Sequence, residues 1–508
     1  MHPHDCIPVG QRVDLASRMI VHQGKYGHVS QLSRERNISR QSLYMLKSRG
    51  QEAMERVFRP RQEATERMTQ IERAILILFT EGHASREGIQ ICLEELLGIH
   101  VSTGKISSIL HEAGKRAQEW LGQHVPQGRR DLAIDEQYSN KRAEAYLNIV
   151  DAQTSFVYAS SPPVAVDGES WSLMLMQMKD NGLQWRVIVS DGGKAIGRAL
   201  REFTPEAIHQ RDVWHVLHEG QKVQEKIDRA VKVLRQRTPA VERDAKRIEE
   251  GKKPLGRNPQ TDGRAHLLDV QHMEYIATSL RYLCNELQRL LDIVVLKDQG
   301  ILISQERSEE IQTLLELFTE LYETTPLSLN KHVKKLLHHI RSALPGLLAF
   351  CPDLDAVELE AITQLGPQAC HLIGWAWLQR AILGPQTEQL VADFAPDWQP
   401  VVAKLFAAWD QAVRSSSAVE NWHSVLRPFI AVHRSLSTDM LAILAVWHNH
   451  RLASRGLHKG LSPLIRSGLD KEQTSWLVAL GYSSVSPSCE QQLSSIVSLE
   501  PEMESIAA

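Results

Sequence analysis

The stretch Trp185-Arg186-Val187-Ile188-Val189-Ser190-Asp191-Gly192-Gly193 decides how the rest of this chain is read. Its apolar, β-branched run predicts a short buried strand. An acid ends the strand, and a Gly pair turns the chain into a helix expected from Lys194 to about Phe203. An Asp at the carboxyl end of a buried strand stands where open α/β sheets place their functional crevices.

Working outward, three strand-like segments lie upstream: Asp131 to Gln137, Ala145 to Val150 and Ser155 to Ala159. Asp151-Ala152-Gln153-Thr154 reads as the hairpin turn between the last two. A helix from Gly168 to Lys179 leads into the opening strand, and Ala207-Ile208-His209-Gln210 reads as a fifth strand. Three antiparallel strands, then helix, strand, helix and strand, follow the order of an RNase H-like sheet. Downstream, residues 216–412 have helical apolar spacing interrupted by Pro254, Pro259, Pro326, Pro345, Pro352, Pro367, Pro385 and Pro396, which predicts an all-helical insertion. Within it, Arg237 to Gly263 is rich in charge, Pro and Gly and is expected to be a loop or arm. Helices over Ala418–Val432 and Thr438–His450 return to the sheet domain, and the Ser- and Glu-rich tail, 484–508, is expected to be loosely ordered.

With 508 residues the chain has room for about three domains of roughly 150 residues each. Hydrophobic residues make up 43% and aromatic residues 6%, a balance that permits sizeable cores and leans helical. No apolar run approaches the ~18 residues of a membrane span, and the first residues carry no signal-peptide pattern. A cytoplasmic protein is expected, nucleoid-associated if bacterial, with no membrane partner. Six scattered cysteines without a CxxC pair argue against a disulfide framework or a zinc finger. The net charge of −3 hides asymmetry: residues 1–50 hold eight Lys/Arg against three Asp/Glu, and residues 222–257 hold twelve against six. Such patches can carry phosphate contacts or form solvated helical faces.

Two front modules, 1–60 and 61–125, read as tandem helix-turn-helix units. In the first, Val29 to Arg36 is a short helix, Asn37-Ile38-Ser39 a turn capped by Ser39, and Arg40 to Lys47 the recognition helix. Val29, Leu32, Ile38, Leu43 and Leu46 are spaced to form its core. Arg40, Gln41, Ser42, Tyr44 and Lys47 are the expected DNA-facing residues. In the second, Ile71–Thr80, Ser85–Leu97 and Thr103–Ala113 are the helices, and Ser102, Thr103, Lys105 and Ser108 are the expected outward residues. An ordinary helical hairpin is the competing reading for each.

The acids carry the chemistry. Asp135 lies mid-strand with Ala133 on its face, while Leu132 and Ile134 face the other way. A mid-strand acid is costly unless paired or bound to metal. Asp131 and Glu136 remain alternatives for the same role. Two carboxylates on neighbouring strands repel, and an oxygen-loving divalent cation such as Mg²⁺ or Mn²⁺ relieves that repulsion. The third acid is Glu420, in Ser417-Ala418-Val419-Glu420-Asn421-Trp422-His423. Ser417-x-x-Glu420 also reads as a capping box, which needs no catalysis. In the functional reading, Glu420 projects onto the cations, with His423, Ser424 and Arg427 following on one helical face.

"AIDEQ", "VIVSDGG", "SSAVENWHSVLRPF" and the (C/D)xxH-like Asp212-Val213-Trp214-His215 together resemble a DDE-type transposase of the insertion-sequence kind, with a helical insertion as in Mutator-like and hAT-like groups. The resemblance covers roughly residues 130–215 and 410–465, including "HKGLSP" near Gly460. It implies an RNase H-like catalytic core in two parts, 130–215 and 413–483, around the 216–412 insertion. It also implies catalysis and metal binding by Asp135, Asp191 and Glu420, with two Mg²⁺ or Mn²⁺ ions per site. Asp212, His215, His423 and Arg427 are then expected beside the site, with Asp212 and His215 positioning DNA and a zinc role for His215 disfavoured. An insertion-domain Trp (Trp375, Trp377 or Trp398) would stack on a flipped base, although helical core packing is the plainer reading of each. The implied partners are double-stranded DNA, as transposon ends and target, and further copies of the chain in a dimer or larger assembly. A DNA-binding regulator with an inactive domain, and a nuclease without strand transfer, are the competing functions.

Overall fold

A computed structural model describes residues 7–57, 61–255, 262–384, 386–456 and 458–482. The tail 484–508 and the part of the expected arm at 256–261 lie outside them. The chain divides into two units, Met1–Glu81 with Tyr482–Ala508, and Gly82–Gly481.

The first unit holds α1 (Val9–Val21), α2 (His28–Arg36), α3 (Arg40–Val57) and α4 (Arg61–Thr80). Leu15, Ala16 and Met19 of α1 close over Leu32, Leu43 and Leu46, with Val29 and Ile38 at the edge. Asn37 ends α2 in the left-handed region at φ 51°, and the Ser39 hydroxyl accepts the Ser42 amide at 3.1 Å to start α3. The turn thus takes its shape from two short polar side chains suited to it. Helix α1 is additional to the two helices expected here.

The second unit begins with α5 (Arg86–Leu97), capped by Ser85, and α6 (Thr103–Gln123), capped by Ser102. Helix α6 runs ten residues past its expected end at Ala113. Its later part lies so close to a downstream helix that a Cβ on Gly114 would come 2.6 Å from the Asp439 Cα. Strands β1 (Arg129–Tyr138), β2 (Glu144–Asp151), β3 (Val157–Ser160) and β4 (Val164–Ala165) follow, then α7 (Gly168–Asp180), β5 (Gln184–Ser190), α8 (Lys194–Phe203) and β6 (Ile208–Arg211). The sheet order is β3-β2-β1-β5-β6, with β4 beside β2. The first hairpins are antiparallel, whereas β5 lies parallel to β1 (Leu132 opposite Ile188) and β6 parallel to β5. This is a mixed α/β arrangement. The opening stretch forms β5, between β1 and β6, and is buried because both neighbours are in place.

The block after β6 comprises α9 (Val213–Glu249), α10 (Gly263–Leu290), β7 (Leu296–Lys297), β8 (Gly300–Ile301), α11 (Ser304–Thr324), α12 (Leu327–Leu347), α13 (Cys351–Leu365), α14 (Pro367–Leu383), α15 (Thr387–Phe394) and α16 (Gln399–Gln411). Two corrections belong here. The block is not all-helical, because β7 and β8 form an antiparallel hairpin. The expected arm from Arg237 is instead the outer part of α9, which continues through Pro239. A Pro inside a helix costs about 3 kcal/mol. Here Val231 and Val241 are buried on either side of it, and α10 packs along the same helix, so tertiary packing overrides the local signal. One core joins α9, α10, α11 and α12; a second joins α13, α14 and α16 with the hairpin. The chain then returns through α17 (Ser417–Val432), which lies over β1 and β2, and α18 (Thr438–His450), which lies over β3 and α6. Among the described residues no helix is long and apolar enough to cross a membrane.

Candidate metal centre

Strand β1 carries Asp131, Ala133 and Asp135 on one face, and Asn148 of β2 stands directly opposite Asp135. Helix α17 covers this face and brings Glu420, while β6 and the start of α9 bring His215. One ligand atom from each of Asp135, His215 and Glu420 lies within 4.8 Å of the others, so the cluster can hold a metal ion. Two further features fit that reading. Asp135 is 7% exposed, and its carboxyl is pushed up to about 8, first by burial, then by Asp191, with Glu136 and Glu420 adding repulsion. The Nε2 atom of His215 is buried without a hydrogen-bond partner. A group that is anionic only at a cost, beside an imidazole nitrogen that has no hydrogen bond and lies 3.9 Å from Asp212 Oδ2, is what a cation satisfies.

Asp191 leaves the end of β5, and its Oδ1 accepts the Gly193 amide at 2.6 Å. It lines the same cavity as His215. Gly192 sits at φ +72°, a left-handed backbone that other residues rarely adopt, and a Cβ there would displace the Arg211 guanidinium. Arg211 donates to the Gly192 carbonyl at 3.2 Å; burial holds its pKa below the ordinary range, with Asp191 opposing. A cation of the chain therefore borders the acid cluster.

The acids rest on a buried polar network. Trp422 Nε1 donates to Asn148 Oδ1 at 3.0 Å and to Ser160 Oγ at 2.8 Å. An indole nitrogen only donates, so Asn148 must turn its oxygen to Trp422 and its amide nitrogen to His423 Nε2, 3.1 Å away. That nitrogen therefore accepts, and the imidazole proton resides on Nδ1. Nδ1 faces Glu420 Oε2 at 3.7 Å and Asp135 Oδ2 at 3.9 Å. His423 is thus held with its Nδ1–H pointed at two carboxylates. Glu420 is pulled below its ordinary range, chiefly by His423, with burial opposing, and Arg427 Nη2 stands 3.3 Å from its Oε2.

Several expectations are corrected by these placements. The Ser417–Glu420 capping box does not form: Ser416 is the cap position, and its hydroxyl and amide donate to Asp212 Oδ2 instead. Asp212, 3% exposed, also caps α9 by accepting the Trp214 amide at 2.8 Å. With both oxygens engaged, it pins α17 to α9 rather than contacting DNA. His215, expected only beside the site, contributes a ligand atom to the cluster. Of the alternatives to Asp135, Asp131 is held by Arg186 (Nη2–Oδ2 2.8 Å), and Glu136 accepts from Trp171 Nε1 at 2.9 Å. Ser42 is buried and hydrogen-bonded to Ser39, so it is not DNA-facing, whereas Arg40, Gln41 and Tyr44 are exposed and Lys47 is half-buried. Ser102 spends its hydroxyl as a helix cap; Lys105 and Ser108 are exposed and Thr103 is half-buried. Trp377 is buried and donates to Asp410, which removes it as a stacking platform; Trp398 packs against the second insertion core, and Trp375 is exposed. The sequence reading missed Asn148 and Arg211. Asn148 left one signal, a polar residue inside an apolar strand; Arg211 left none.

Compared with known proteins, the chain matches no protein-family model and no curated protein.

Proposed function

We propose that this chain is a DNA transposase whose RNase H-like domain cuts and rejoins DNA strands by a DDE mechanism, using Asp135, Asp191 and Glu420 with two Mg²⁺ or Mn²⁺ ions. The observation that carries the reading is the meeting of acids far apart in sequence: Asp135 and Glu420 share a candidate metal cluster with His215, and Asp135 also feels the charge of Asp191. The strand order, with β5 parallel beside β1, supports the RNase H-like assignment. Divalent ions at such a centre supply Lewis-acid stabilisation of the phosphoryl oxygens and a more acidic water or 3′-hydroxyl.

The chain's own residues have distinct tasks in this reading. Asp135, Asp191 and Glu420 hold the ions, and His215 offers a nitrogen ligand to the site it shares with Asp135 and Glu420. His423, fixed by Asn148, directs its Nδ1 proton to Glu420 and Asp135 and holds their orientation. Arg211 offsets negative charge beside Asp191. Arg40, Gln41, Tyr44 and Lys47, with Thr103, Lys105 and Ser108, bind the terminal inverted repeats, and the enzyme works in the cytoplasm as a dimer or larger assembly on DNA ends and target.

The test is a strand-transfer assay with Mg²⁺ or Mn²⁺ and oligonucleotides carrying candidate end sequences. Joined products are expected, lost in D135N, D191N and E420Q. Cuts without joined molecules would leave a nuclease. No product with intact, sequence-specific binding would leave a regulator.

A further inference from the structure

Helices α9 and α12 border a cavity of about 580 Å³ that opens at Asp191 and His215. Along α9, His215, Glu219, Lys222 and Lys226 recur at spacings of four, three and four, which places them on one face. Along α12, Lys331, Lys335 and His339 do the same. The helices run in opposite directions: Gln210 of β6 donates to the Leu347 carbonyl at the end of α12, while α9 starts just after β6. At the far end, Lys226 Nζ and His332 Nδ1 are 3.3 Å apart. The groove therefore leads from the acid cluster to a purely basic outer mouth.

Its charge is not neutralised within the described residues. Only Lys222 has a carboxylate partner, Glu219 at 2.7 Å; Lys226, Lys331 and Lys335 have none within ion-pair distance. Some other cations of the same block are paired, as in Arg229–Glu225, Arg281–Asp228 and Arg289–Glu310. His332 is held below its ordinary pKa by burial and then by Lys226, Lys331 and Lys335; His339 is held low by burial, Arg211 and Lys335. Glu219, lowered by its hydrogen bond to Lys222 and by the charges of Lys335 and His339, offsets part of this charge; three exposed lysines facing one groove still outnumber it, and a polyanion removes the cost of that excess.

We infer that the α9–α12 groove binds the sugar-phosphate backbone of the DNA strand that reaches the metal centre, an inference that rests on the DNA reading above. The scale is appropriate. From His215 to Lys226 the helix advances about 16 Å at 1.5 Å per residue. Over that length one strand of a duplex carries about five phosphates at roughly 3.4 Å each. The acids at the inner end repel phosphate until cations are present, so the lysines supply the anchorage that the acids cannot.

The test uses the full chain and mixed-sequence duplex DNA in EDTA, so that it is independent of strand cutting. Lysine acetylation is read by mass spectrometry with and without saturating DNA. Lys226, Lys331 and Lys335 are expected to react several-fold more slowly in the complex. In the double variant K331Q/K335Q, on exposed positions, the slope of log affinity against log salt should shrink by about 2, and affinity should fall about tenfold. Unchanged acetylation and salt slope would overturn the inference, as would equal protection by a polyglutamate peptide, which would mark a docking site for an acidic protein segment. Protection without strand cutting in the transfer assay would sink the transposase reading and leave the groove standing. Cutting without protection would do the reverse.

Discussion

Asp135 is costly to ionise where it stands. Burial first, then Asp191, push its pKa up to about 8 from an ordinary 3.8, so the folded state holds its proton more tightly than the unfolded chain. The stability this group contributes is complete below about pH 4 and is lost as the pH rises through about 8. D135N should therefore raise the melting temperature in EDTA most at pH 8, and little at pH 4. Mn²⁺ at a hundredfold excess over Kd should stabilise the native protein by about 2.7 kcal/mol, read as a higher melting temperature, and leave D135N unmoved. An equal metal response in both proteins would remove Asp135 from the centre. His215 gives a second prediction, because imidazole favours transition metals over Mg²⁺. H215A should weaken Mn²⁺ at least tenfold, about 1.4 kcal/mol, while changing Mg²⁺ less, as titration calorimetry would show. The two strand acids were visible in sequence because an acid inside or at the end of an apolar run conflicts with its surroundings. Glu420 was ambiguous, since Ser417 offered it a local explanation that the fold does not use. His215 as a ligand was hidden, because a motif fixes neighbours along the chain and says nothing of distance to β1.

At the level of elements, α18 carries a second consequence of burial. His448 is fully buried, donates from Nε2 to the Ser155 carbonyl, and lies edge-on to Trp422, the anchor of the Asn148 network. Burial first, then Arg451, lowers it to about 4, with the Ser155 hydrogen bond opposing. The unfolded imidazole takes a proton near 6.5, whereas the folded one resists until about 4. Stability is thus complete above pH 6.5 and lost as the pH falls toward 4, by about 3 kcal/mol in all. H448Q, which keeps a donor for Ser155, should flatten that acid limb in urea titrations between pH 7 and 4.5; an unchanged limb would assign it to other groups. Elements of this kind were legible where period and punctuation agreed, as for α8, found over Lys194–Phe203 as expected. They were misread where tertiary packing overrode a local signal. Pro239 and its charged neighbours looked like an arm, yet apolar contacts along α10 keep α9 helical. Ser42 looked outward until the Ser39 cap fixed the phase of α3.

For the molecule as a whole, the division at Glu81 predicts that a fragment spanning Gly82–Gly481 folds cooperatively and keeps the Mn²⁺-induced thermal shift. It should lose the sequence preference assigned to Arg40, Gln41 and Tyr44, measured as the affinity ratio between end-sequence and mixed-sequence DNA. A fragment with no metal response would mean that the centre needs the front residues. The basic groove was the least legible feature, because Lys226 and Lys331 belong to separate helices and only their antiparallel packing sums their charge. Helix α9, 37 residues long, begins at Val213, two residues before the His215 imidazole. At 1.5 Å per residue it extends about 55 Å. It is a lever pivoting beside the candidate metal cluster: a tilt of about 5° about its origin sweeps the far tip by about 5 Å and the His215 imidazole by a few tenths of an ångström. On the transposase reading proposed above, the outer end would follow a bending double helix while Asp135, His215 and Glu420 keep their spacing.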